Sequence, residues 1–166
     1  MKKTEKLTVI AMTAAIAIVL SFVESQIPAF FSVPGVKLGL ANIAVIFALY
    51  KMGFWEALLV SFVRVLTVFL MFGGLMPLLY SVAGAVLSLC VMLLLKRFTP
   101  LSEIGVSVSG GVAHNVAQIT VAAFLFDSAA LYLYLPILLI AGTVAGALVG
   151  IASAILVKRV NFRKNC

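Results

Sequence analysis

The sequence predicts an all-α integral membrane protein with six transmembrane helices and cytoplasmic N- and C-termini. Three observations lead there. The first is composition: 64% of the 166 residues are hydrophobic and 10% charged, with a mean hydropathy of +1.27. A soluble domain is about half apolar and about a quarter charged, and a chain of this length cannot hide the excess. The second is the division of the chain into long apolar segments by glycine, proline and charge. The third is the position of lysine and arginine, which cluster between alternate segments.

A spanning helix needs about 20 mostly apolar residues, and six segments fit, at roughly 7–26, 38–52, 54–72, 76–97, 102–126 and 132–157. The first follows Met1-Lys2-Lys3, as a signal peptide would. Ala11 to Ala17 nevertheless run straight into Ile18-Val19-Leu20 without a cleavage site, so the segment is kept as a span. Pro28 and Pro34-Gly35 interrupt the chain after it. The second span is short and begins beside Lys37, and Gly53 divides it from the third. Gly73-Gly74 and Pro77 make the next turn. Thr99-Pro100 is expected to cap and open the fifth span, which Asp127-Ser128 closes. Pro136 falls in the first turns of the sixth, where proline is tolerated best. No internal repeat is evident, and residues 1–166 read as a single domain.

Orientation follows from the cations. With the N-terminus inside, Lys2, Lys3, Lys6, Lys51, Lys96, Arg97, Lys158, Arg159, Arg163 and Lys164 all fall on the cytoplasmic side, ten of the twelve. Lys37 alone lies outside, and Arg64 lies within the third span. The cell membrane is the expected location, with lipid around the bundle. The net charge of +7 does not point to nucleic acid, because the cations sit between apolar segments rather than in a patch interleaved with aromatics. Cys90 and Cys166 have neither metal-ligand spacing nor a disulfide pattern.

Small residues mark faces where helices approach closely in lipid. Gly142, Gly146 and Gly150 form one in the sixth span, Gly84 and Ser88 another in the fourth, and both suit packing inside the bundle. Ala11, Ala14 and Ala15 give the first span a smooth face that suits either internal packing or a partner subunit.

Ionisable and amide side chains within a membrane are costly, which makes them functional candidates. Arg64 lies near mid-depth, between Ser61 and Thr67. Gly111, His114, Asn115 and Gln118 fall at i, i+3, i+4 and i+7, one helical face, and His114 is the only histidine. Lys37 and Asn42 begin the second span and Glu24 ends the first. Two readings stand side by side. Arg64 serves a ligand, or is a structural cation paired with helix ends or Glu24. The histidine face serves a ligand, or is a self-satisfied hydrogen-bond network between helices. Lys37, Asn42, Arg64, His114, Asn115 and Gln118 together would suit a polar or anionic ligand approaching from the outer side. Glu56 and Glu103 read as charges at helix N-termini.

Enzyme patterns are missing. Asp127 is the only aspartate, so no aspartate-rich pair holds magnesium and diphosphate, and the chain has no HExxH, P-loop or GxSxG. A catalytic role, a metal site and a cofactor are therefore not expected.

The segments Ile27-Pro28, Pro34-Gly35-Val36-Lys37-Leu38-Gly39-Leu40-Ala41-Asn42-Ile43, Leu49-Tyr50, Arg64-Val65-Leu66, Phe72-Gly73-Gly74 and Gly111 to Gln118 resemble the Gx transporter family, also labelled heptaprenyl diphosphate synthase component I. That family is similar to the substrate-binding S-components of energy-coupling factor (ECF) transporters. The resemblance implies a six-helix S-component-like bundle whose first-helix alanines, here Ala11 and Ala15, contact a membrane scaffold subunit served by two cytosolic ATPases. It implies capture of a small metabolite, of the flavin, isoprenoid or quinone-precursor class, near the loop after the first span. The synthase label implies instead a non-catalytic membrane component associated with heptaprenyl diphosphate or menaquinone synthesis.

Overall fold

The computed structural model describes residues 3–26 and 39–160, and their regular structure is entirely helical. In chain order the helices are α1 (Lys3–Gln26), α2 (Asn42–Lys51), α3 (Phe54–Phe72), α4 (Leu75–Phe98), α5 (Glu103–Leu125) and α6 (Leu135–Arg159), with a 3-10 turn, Ala129–Tyr134, leading into α6. Five helices are long and apolar enough to cross a membrane, the last counted together with that turn. The exception is α2, which at 10 residues is about 15 Å long against a hydrocarbon core of about 30 Å.

The boundaries follow local chemistry. Gly73 and Gly74 both have positive φ, 65° and 93°, a backbone that other residues rarely adopt, and they turn the chain between α3 and α4. Pro136 occupies the first turn of α6, as expected. The start of α5 differs from expectation. Thr99 closes α4 by donating its hydroxyl to the Leu95 carbonyl, and Ser102 is the N-cap of α5, accepting from the Gly105 amide. Thr99 has the right residue type but sits one turn too early, so it works as a C-terminal device.

The expected second span at 38–52 also needs correction. Gly39 has φ +72°, and the Asn42 and Ile43 amides donate to the Gly39 and Leu40 carbonyls in a tight turn, so helix begins only at Asn42. Its other end is closed by the Met52 and Gly53 amides, both on the Ala48 carbonyl. Lys96 of α4 donates to the Leu49 carbonyl at 2.6 Å while its ammonium lies 4.7 Å from the Tyr50 ring centre. A short helix deep in a membrane must have its end groups satisfied by protein, and these contacts do so.

Around α2 the core forms. Ala44, Val45, Ile46, Ala48 and Leu49 are buried and meet Ala14 and Ala17 of α1, Ala57 and Val60 of α3, Leu89 and Met92 of α4, Val106 of α5 and Val149 of α6. The shortest helix thus packs chiefly on α1, α3 and α6, with α4 and α5 reaching the same cluster through Leu89, Met92 and Val106. An ion pair between Lys6 and Glu56 ties the start of α1 to the start of α3.

The α5–α6 contact is closer still. A Cβ on Gly111 would stand 2.6 Å from the Gly142 carbonyl oxygen, one on Gly146 2.7 Å from Val108 Cα, and one on Gly150 2.8 Å from Ile104 Cα. Only residues without a side chain permit this backbone-to-backbone approach, which maximises dispersion where lipid offers no hydrophobic drive. Ser107 donates to the Gly146 carbonyl at 2.7 Å across the same seam. The expectation that Gly142, Gly146 and Gly150 pack internally is met. So is that for Gly84 and Ser88, both buried between α4 and α5.

Candidate functional site

Arg64 lies ten residues beyond the start of α3, about 15 Å along it. It is half-buried, and its Nη1 donates to Asn42 Oδ1 at 3.2 Å. Asn42 is the first residue of α2, so the short helix ends at the depth of the guanidinium. On the other side of the turn, the Gly39 amide donates to Glu24 Oε1, and the Glu24 carboxylate lies within electrostatic reach of Arg64. Asn42 Nδ2 is packed close to Gly39. One carboxylate, one amide and one guanidinium therefore join α1, α2 and α3. Asn42 accepts from the guanidinium through Oδ1, which makes it a positioning group for Arg64. Of the flanking polar residues, Ser61 is buried, and Thr67 turns its hydroxyl onto the Val63 carbonyl of its own helix.

On α5, the three polar residues that share a face have different surroundings. Asn115 is buried and its Nδ2 donates to the Leu138 carbonyl of α6 at 2.7 Å. That contact is the network reading of the sequence, realised with backbone as the partner. His114 lies against α4. A Cβ on Gly84 would meet its Nδ1, Cε1 and Nε2 at 2.6, 2.6 and 2.9 Å, so the imidazole sits face-on over a bare stretch of helix. Gln118 is buried, and its Oε1 meets no hydrogen-bond partner among the described residues.

His114 is about 16 Å along α5 and Gln118 about 22 Å, measured from the same end of the bundle as Arg64. The Arg64 cluster and the α5 face thus occupy the middle and far half. They belong to helices that are not close neighbours: α5 packs on α4 and α6, while α3 packs on α1, α2 and α4. Lys37, expected in the same set, lies outside the described residues. Three contributors were not expected at the site from the sequence. Gly84 is the floor for His114, Lys96 anchors α2, and Ser107 reaches a carbonyl rather than another side chain.

The alanine face of α1 divides. Ala11 and Ala15 are exposed, together with Met12, Ile16 and Val19. Ala14, expected with them, is only 8% exposed and belongs to the core against α2 and α3, because one residue rotates the side chain about 100° around the helix. Of the three alanines, Ala11 and Ala15 alone lie on the exposed face.

No curated protein matches the chain. The profile of a protein family described as heptaprenyl diphosphate synthase component I matches residues 13–156. The matched region runs from within α1 to near the end of α6, so it takes in Glu24, Asn42, Arg64, the α5 polar face and the glycine seam. With nearly the whole bundle matched, the chain belongs to the heptaprenyl diphosphate synthase component I family.

Proposed function

We propose that this chain is the substrate-capturing membrane subunit of an importer, similar to an ECF S-component, and that it takes a small polar metabolite from the outer side of the cell membrane. The observation that carries this reading is the half-buried polar cluster around Arg64. Glu24, Asn42 and Arg64 hold one another above the short helix α2, in a chain whose spanning helices are largely apolar. A protein that only had to span lipid would gain nothing from such groups.

In this reading the basic end faces the cytoplasm, and the cluster opens toward the far half, where His114 and Gln118 also lie. Arg64 is pre-oriented by Asn42 and supplies donors, while the α5 amide supplies an acceptor. Asn115 and the glycines keep the wall that carries Gln118 rigid. A membrane scaffold subunit docks on Ala11 and Ala15, and two cytosolic ATPases hydrolyse ATP to drive reorientation of the bundle. The chain itself performs no catalysis and carries no cofactor.

The test is association. Ala11→Leu with Ala15→Leu should reduce co-purification with a scaffold subunit by at least about tenfold, since each bulky side chain disrupts a close helix contact. A small molecule held by the single subunit, detected by native mass spectrometry, should remain. Unchanged scaffold association would sink the proposal.

The family description favours a second reading, a non-catalytic membrane component associated with heptaprenyl diphosphate or menaquinone synthesis. The donor set does not fit a magnesium–diphosphate unit. Asp127 is the only aspartate, exposed in the turn after α5, and among the described residues no three His, Cys, Asp or Glu side chains gather. Stimulation of a soluble prenyltransferase by the purified chain, with no retained small molecule, would favour this second reading.

A further inference from the structure

Gln118 is 7% exposed, and its Oε1 has no donor among the described residues. Its direction follows from the contacts of its own helix. α5 touches α6 through Ser107, Gly111 and Asn115, and touches α4 through Gly110 and His114. Gln118 comes three residues after Asn115, four after His114 and seven after Gly111, so it lies on the sector between the two contacts, facing the bundle interior. It is one turn beyond the Asn115–Leu138 bond, on the side away from α2.

An apolar residue there would fill the same space without an orphaned amide. Buried polar atoms are nearly always paired, and leaving one unpaired is costly. A position that keeps the cost is where a bound molecule completes the bond. A carbonyl oxygen accepts only, so the missing partner is an N–H or O–H group.

The second observation concerns charge and is independent of the first. The sequence alone suggested a cationic pocket for a polar or anionic head. In the structure Arg64 shares its surroundings with the Glu24 carboxylate and already donates to Asn42. A diphosphate beside this cluster would bring several negative charges toward Glu24 in a medium of low dielectric constant, where like charges repel strongly.

Resting on the capture reading above, we infer that the cargo has an uncharged head carrying an N–H or O–H donor that meets Gln118 Oε1, and that prenyl diphosphates are not its cargo.

The experiment uses the full chain in phosphatidylcholine nanodiscs with three probes. Riboflavin offers an uncharged ring with an imide N–H, 2-methyl-1,4-naphthohydroquinone offers two uncharged O–H donors, and farnesyl diphosphate is a polyanion without an N–H donor. At least one uncharged probe should bind saturably in calorimetric titration, and farnesyl diphosphate should not. Gln118→Met should weaken that binding by about tenfold or more, the effect of losing one buried hydrogen bond. The unliganded Gln118→Met protein should melt at the same temperature or higher, whereas removal of a structural bond would lower it. Gln118→Glu, which keeps an acceptor, should retain the uncharged probe.

Saturable binding of farnesyl diphosphate, binding of neither uncharged probe, or a fall in the melting temperature of unliganded Gln118→Met would each overturn the inference. A failure of the importer reading would appear elsewhere, as scaffold association unaffected by the Ala11 and Ala15 substitutions, and would leave these titrations intact.

Discussion

Backbone meets backbone along α5 and α6, whereas α2 is held at its ends by long side chains. In the seam, Gly111, Gly142, Gly146 and Gly150 remove every atom beyond Cα, and the two helices share contacts that a single methyl group would disturb. At α2, Lys96 reaches the Leu49 carbonyl from one side and Arg64 reaches Asn42 from the other, through several rotatable bonds each. Both arrangements answer the same problem, that apolar helices in lipid have no hydrophobic reason to associate. Close packing gives a rigid answer. Polar anchors give one that can be adjusted, because a guanidinium can rotate while a helix backbone cannot. In the proposed function the cation comes from the adjustable arrangement and the Gln118 amide from the fixed one.

The largest test of this contrast is Gly146→Val, whose Cβ would fall 2.7 Å from Val108 Cα. Overpacking against backbone should cost about 3 kcal/mol, seen as loss of the monodisperse species in size-exclusion chromatography. If the variant folds normally, the seam is not rigid. Next comes the polar half. Arg64→Leu should destabilise by about 2 kcal/mol, and pairing it with Glu24→Gln should recover about 1 kcal/mol, because the carboxylate is then no longer left uncompensated. Additive losses in thermal unfolding would show that Glu24 and Arg64 act separately. The smallest effect is expected from Lys96→Met, about 1 kcal/mol, for one hydrogen bond and one cation–ring contact. A larger loss would mean that α2 depends on its anchors more than on its buried face.

Much of this architecture can be read before any coordinates. The limits of α3 agree with the segment bounded by Gly53 and Gly73, because glycine breaks are encoded locally. The length of α2 is not readable in the same way. Leu40 and Ala41 are as apolar as the helix that follows, and hydropathy records the letters without registering the turn that Gly39 makes. Arg64 and the α5 polar face were visible as costly residues in an apolar chain. Glu24 and Asn42 were visible beside Arg64, but the backbone partners were not, because Asn115 reaches the carbonyl of Leu138, and Glu24 reaches the amide of Gly39. A backbone group has no letter of its own, so nothing in the spelling of the chain identifies it. Ala14 shows a related limit, since an alanine toward the core and one toward a partner are spelled alike.

The imidazole of His114 rests on Gly84 with no room for even one methyl group between them. Positions 84 and 114 are therefore tied together in descent: a lineage that keeps the histidine must leave position 84 bare, and one that admits alanine there must first have given the ring up. Across related chains the two columns should change together.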